Sequence, residues 1–173
     1  MQTTHRDPAE ERTEAIDAAA ADVLIIGCGN VLMGDDGFGP AFIKHLEQTG
    51  GLPEGVGLLD AGTGVRSFLF GLVLADQKPR RILIVDAVDM GRKPGEVFHI
   101  DLEAVPALKA DDFSLHQLPT SNMLRELRDS CGVEVGVLAV QVESIPDRVD
   151  WGLSPPMIQA LEPARAAVLA WLG

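Results

Sequence analysis

Four side chains in this 173-residue sequence stand where an α/β protein would do chemistry: Asp36, Asp60, Asp86 and His116. Each aspartate follows a short apolar run. Val23-Leu24-Ile25-Ile26 enters the loop Gly27-Cys28-Gly29-Asn30 that leads to Asp35-Asp36, Gly57-Leu58-Leu59 ends on Asp60, and Ile82-Leu83-Ile84-Val85 ends on Asp86. A carboxylate closing an otherwise apolar strand is costly to bury unless a cation, a metal or hydrogen bonds meet it. Two carboxylates with one imidazole form a mixed oxygen and nitrogen donor set suited to nickel, zinc or a related divalent ion. Three ligands leave coordination positions open to a substrate, whereas a structural zinc site is closed by four.

Each residue also has a plainer reading. Asp35-Asp36-Gly37 alone reads as a turn and helix cap, Asp60 as a loop aspartate bonded to nearby amides, and His116 as a capping or surface histidine. His45 and His99 lie within regular elements and read as surface or half-buried residues. The loop Gly27 to Leu32 begins like a dinucleotide fingerprint, but Leu32 stands where the third glycine belongs. Asp35-Asp36 would also set negative charge against a pyrophosphate. No Gly-x-Ser-x-Gly nucleophile elbow is present.

The elements that must position these residues alternate. The run Val23 to Ile26 is a buried parallel strand, and Phe42, Ile43 and Leu46 fall at helical spacing before the stop Gly50-Gly51. Gly57 to Asp60 reads as a second strand, and Phe68, Leu69, Leu72 and Val73 as the stripe of a second helix. Arg81 to Asp86 is the strongest strand. Val97 to Ile100 is an edge addition after the turn Pro94-Gly95. Ser114-Leu115-His116-Gln117 matches a capping box, although Pro119 allows the helix to start near Thr120 or Ser121, which leaves His116 in the preceding loop. Met123, Leu124 and Leu127 continue that helix, Val133 to Val142 is the last strand, and Ser154-Pro155-Pro156 caps a final helix that Pro163 kinks. The expected fold is α/β: a single domain with a mainly parallel central sheet of about five strands and helices on both faces. Residues 1–21 read as a flexible acidic tail without an apolar face, and residues 22–173 as the domain.

Composition narrows the partners. The formal net charge is −12, and basic residues cluster no further than Lys78 and Arg80-Arg81, which argues against a nucleic-acid partner. No run approaches the roughly 20 apolar residues that span a bilayer. Two cysteines, Cys28 and Cys131, read as small buried thiols of a cytoplasmic protein, not a disulfide framework.

The motifs GCGNVLMGDDGFG, DAGTG, IVDAVD, SLHQL and GLSP occur in this order, and together they resemble those of the [NiFe]-hydrogenase maturation endopeptidases. The resemblance runs from about Val23 to the C-terminal helix. It implies a peptidase that removes a C-terminal extension from a [NiFe]-hydrogenase large-subunit precursor after nickel insertion. It also implies that Asp36, Asp86 and His116 bind the metal and belong to the catalytic centre. The first of these is glutamate in some members and aspartate here, which keeps hard oxygen ligation. Nickel would come with the substrate, so no cofactor is permanently bound, although other divalent cations fit the same donors. Asp60 in DAGTG is the candidate supporting carboxylate. A zinc-dependent hydrolase of small amides or peptides, holding its own metal on the same trio, is the alternative. A noncatalytic metallochaperone or nucleotide-binding module is a third reading.

Overall fold

The computed structural model describes residues 21–103 and 121–173. Strand β1 (Val23–Cys28) passes through a loop and a 3-10 turn (Gly34–Gly37) into helix α1 (Phe38–Thr49). Strand β2 (Val56–Gly62), helix α2 (Val65–Leu74), strand β3 (Arg81–Val88) and the short strand β4 (Val97–His99) come next. Helix α3 (Ser121–Asp129), strand β5 (Glu134–Gln141) and helices α4 (Pro155–Gln159) and α5 (Leu161–Leu172) follow. The acidic segment 1–20 and the Ser114–Gln117 capping box lie outside the described residues.

The strands form one sheet in the order β2-β1-β3-β5-β4. β1, β2, β3 and β5 are parallel, and β4 adds antiparallel to β5 at the edge. This is the expected mainly parallel sheet, with the edge strand in the expected place. Strand alternation sorts the core into two layers. Leu24, Ile26, Cys28, Ile82 and Ile84 pack with Leu69 and Leu72 of α2 and Leu124 and Leu127 of α3. Ile25, Leu83, Val85 and Leu138 pack on the other face with Phe38, Phe42 and Leu46 of α1 and with Met157, Ala164 and Val168 of α4 and α5. Among the described residues no helix is long and apolar enough to cross a membrane.

Prolines shift two helix boundaries from the sequence expectation. α1 begins at Phe38, ahead of Gly39-Pro40, because Pro40 falls in the first helical turn, where no intrahelical N–H bond is required of it. The C-terminal helix is divided at Ala160 instead of kinked at Pro163. Pro163 has no N–H to offer the carbonyl four residues earlier, so a new helix begins and Pro163 sits in its first turn. The Ala160 amide closes α4 on the Pro156 carbonyl at 3.0 Å, and the Ala164 amide opens α5 on the Ala160 carbonyl at 2.9 Å.

α1 meets the carboxyl end of β1 at unusually close range. A Cβ placed on Gly39 would lie 2.1 Å from the Cys28 carbonyl oxygen and 2.8 Å from that of Val85, and one on Gly27 would lie 2.4 Å from the Gly39 carbonyl oxygen. Gly39→Ala should therefore lower stability by about 3 kcal/mol. Gly71→Ala, in α2 with open space around it, should raise stability by up to about 1 kcal/mol. Denaturant midpoints of the two variants measure both effects.

Candidate active site

From β1 the chain crosses through α1 to β2 on one side, and from β2 it returns through α2 to β3 on the other. The sheet order thus reverses between β1 and β3, and in open α/β sheets ligands bind in the crevice that such a reversal opens at the carboxyl ends of the strands. Asp86 lies near the carboxyl end of β3, which runs two residues further than expected, through Ala87 to Val88. It is in phase with Ile82 and Ile84, which places it on the α2 and α3 side of the sheet, level with Cys28 on the neighbouring strand. Asp60 lies one residue lower, on β2, paired in register with Gly27. The loop after β1 folds back over the same end and brings Asp35 and Asp36 to it in the 3-10 turn.

Asp35 and Asp36 are both buried, with 2 % and 1 % of their surfaces exposed, yet they meet different surroundings. Asp35 accepts hydrogen bonds from the backbone amides of Glu143 at 2.9 Å, Ser144 at 3.4 Å and Ser154 at 2.7 Å, and from the Ser154 hydroxyl at 2.9 Å. Its carboxylate is therefore a tie between the β1 loop and the segment after β5. Asp36 accepts the Asn30 amide on Oδ2 at 2.9 Å, while its Oδ1 is buried with no hydrogen-bond partner among the described residues. Neither caps α1, whose N-cap residue Gly37 offers no side chain. The turn part of this reading holds and the cap part does not, because Asp35 is taken up by amides of the segment after β5 and Asp36 by the Asn30 backbone amide, not by amides of α1.

Asp86 is 7 % exposed and accepts the Ala87 amide on Oδ1 at 2.9 Å. Burial, reinforced by the negative charge of Asp36, raises its pKa from 3.8 to about 8, against the opposing effect of the Ala87 bond. The structure therefore brings Asp36 and Asp86 together. Burial and then the charges of Asp86 and Asp60 push the Cys28 thiol well above its ordinary value, so Cys28 is a neutral wall of the crevice and no nucleophile. Asp60 is exposed and accepts the Gly62 amide on Oδ1 at 3.0 Å. This is the local bond expected of a loop aspartate, made at the crevice edge. His116 lies outside the described residues, and among those described no group of three His, Cys, Asp or Glu side chains converges on a metal position. His45 pairs with Glu162 at 2.8 Å and His99 is exposed, both away from the crevice.

Two residues important to the site's architecture escaped the sequence reading. One is Asp35 in its role as a tie. The other is Gln141, buried at the end of β5, whose Oε1 accepts the Met90 and Arg92 amides at 2.9 and 3.1 Å. Its Nε2 donates to Asp89 Oδ1 and to the Val142 carbonyl, each at 3.0 Å. It thereby fixes the loop that leaves β3 just beyond Asp86. A signal was available: Gln141, like Asp86, is a polar residue closing an apolar strand.

The raised pKa of Asp86 links stability to pH. Between about pH 4 and pH 8 the folded chain keeps this proton while the unfolded chain loses it, so the stabilisation is complete below 3.8 and is lost as pH rises through about 8. With divalent cations chelated, Asp86→Asn should be more stable than the unsubstituted chain at pH 8 and should lose that advantage by pH 4. Urea denaturation at the two pH values measures the difference.

The same conclusion about family comes from comparison with known proteins. The family model for hydrogenase maturation protease matches residues 40–171. The chain is 35 % identical to the coenzyme F420 hydrogenase subunit delta of Methanothermobacter thermautotrophicus, over 88 % of this chain and 96 % of that protein. It is 33 % identical to the hydrogenase 2 maturation protease of Escherichia coli, over 87 % of this chain and 90 % of that protein. In three dimensions it is similar to the hydrogenase maturating endopeptidase HybD from Escherichia coli, with a TM-score of 0.70 and 32 % identity, covering 87 % of this chain and 91 % of the other. This chain accordingly belongs to the hydrogenase maturation protease family and is a peptidase.

Proposed function

We propose that this peptidase removes the C-terminal extension of a [NiFe]-hydrogenase large-subunit precursor once nickel has been inserted, and that it reads the precursor's nickel through Asp36, Asp86 and His116. The observation that carries the reading is the pair of buried carboxylates at the β1–β3 reversal. Among the described residues Asp36 has an oxygen without a partner, and Asp86 is pushed to about 8 partly by Asp36 itself. Burial makes full ionisation of such a pair costly, and a divalent cation is the ligand that would stabilise both carboxylates in their charged form. His116 comes to this set through its motif. Its segment is flanked by Leu102 and Leu124, which both pack on the Asp86 face of the sheet. The flanks are tied by Arg125 to the Leu102 carbonyl at 2.9 Å and by Arg128 to Glu103 at 2.6 Å.

The nickel is the precursor's own, so the purified chain needs no resident metal, and other divalent cations fit the same donors. When bound, the cation would fix and polarise the scissile region. The chain's residues do the rest. Asp36 and Asp86 orient the precursor by holding its metal in one place. Asp86 retains a proton at neutral pH and gives it up when a cation arrives, so cation binding releases a proton. Asp60, at the exposed edge of the crevice, is the supporting carboxylate that contacts the precursor in this reading. The two free thiols, Cys28 and Cys131, agree with a reducing cytoplasm as the place of the reaction.

Matched nickel-loaded and nickel-free precursors, incubated with the chain and read by product mass, test the reading. Only the loaded form should be shortened, and equal shortening of both would refute nickel recognition. His116→Ala and Asp86→Asn should each abolish cleavage while leaving the circular dichroism spectrum unchanged. Stoichiometric zinc in the purified chain, together with cleavage of generic peptides, would favour a zinc-dependent hydrolase instead.

A further inference from the structure

An apolar surface lies against the loop that carries Asp36. Trp151 is 69 % exposed and Val149 is 60 % exposed, in a stretch that bridges in parallel to the β1 loop through Asp150 and Met33. The Asp150 amide donates to the Leu32 carbonyl at 3.0 Å, and the Gly34 amide donates to the Asp150 carbonyl at 2.8 Å. Val149 and Trp151, on either side of the bridged Asp150, share one side of this extended stretch, opposite Asp150. Three residues beyond Trp151, Ser154 is held by Asp35 through both its amide and its hydroxyl. Trp151 is thus fixed on both flanks to the segment Leu32–Asp35, which runs directly into Asp36.

Two large apolar side chains exposed side by side on a hydrogen-bonded segment form a patch, and exposed apolar patches, unlike single scattered residues, mark interaction sites. Pre-ordering of this kind lowers the entropy lost when a partner docks, and exposed tryptophans are frequent anchors of protein recognition. We propose that Val149 and Trp151 form the surface that receives an apolar side chain of the precursor within a few residues of the cleaved bond. The occupant follows from continuity. The surface and Asp36 belong to one hydrogen-bonded loop pair, so a polypeptide lying in the crevice leaves it across Trp151. The inference rests on the precursor-cleavage reading above and adds the place where the precursor is gripped.

Trp151→Ser should raise KM for nickel-loaded precursor on the order of tenfold with kcat unchanged, and Trp151→Phe should restore most of the affinity. An unchanged KM in Trp151→Ser overturns the proposal, as does a change of oligomeric state with unchanged KM, which would assign the surface to a second copy of the chain. Binding is read by rapid mixing, before cleavage proceeds. Addition of loaded precursor should shift tryptophan emission when Trp151 is present. It should not do so in Trp151→Phe, where the remaining tryptophan is Trp171, stacked under Arg81 at 4.0 Å. Absence of that shift, with binding verified by co-sedimentation, also overturns the proposal. Failure of the functional reading shows separately, as no change in precursor mass with the unsubstituted chain.

Discussion

Helix α1 approaches strand β1 so closely that neither Gly27 nor Gly39 can carry a side chain, and the functional end of the molecule is built on that contact. The approach seats the first turn of α1 against Cys28 and the Val85 carbonyl. The preceding 3-10 turn is consequently pressed over the carboxyl ends of β1 and β3. Gly29, at φ +130°, faces the Asp36 carbonyl oxygen so closely that a Cβ there would overlap it. The glycines of the first loop thus serve neither a phosphate nor flexibility. They remove volume so that a pair of carboxylates can be carried into a buried position.

The two adjacent aspartates show how burial separates structural from reactive roles. A buried carboxylate is tolerable when hydrogen-bond donors surround it, and Asp35 has four of them, three amides and a hydroxyl. Among the described residues, Asp36 accepts one amide and keeps one oxygen without a partner, and Asp86 accepts one amide beside a neighbouring negative charge. The same cost that is cancelled at Asp35 is left outstanding at Asp36 and Asp86, one residue away in sequence and across the crevice in space. Incomplete satisfaction of this kind concentrates at functional sites, and it distinguishes the two halves of an otherwise symmetrical Asp-Asp pair.

Around that centre the crevice walls are held by polar side chains reaching over from β5 and beyond. Gln141 secures the loop after β3, and Asp35 secures the segment 143–154. Both join the C-terminal third of the chain to loops of the first half, so the crevice is assembled only when the whole domain has folded. A peptidase that must engage one bond of a large protein partner benefits from walls this firmly set, because the entropy of ordering them is not charged against binding.

The alternating apolar runs and turn residues were enough to foretell a mainly parallel α/β sheet, the edge position of Val97–His99, and the strand-end location of Asp60 and Asp86, because side-chain periodicity and burial are local properties of a chain. The motifs, taken together, were enough to indicate the family. Sequence could not divide the work between Asp35 and Asp36, since the donors that engage Asp35 lie more than a hundred positions away. Nor could it show that Pro163 begins a helix instead of kinking one, or that Gln141 braces the β3 loop, since each depends on what lies across the sheet or on the adjoining helix. The pairing of Asp36 with Asp86 is likewise a product of strand order. Only the reversal between β1 and β3 brings the first loop over the end of the third strand, and only burial there sets these two aspartates apart from ordinary surface carboxylates.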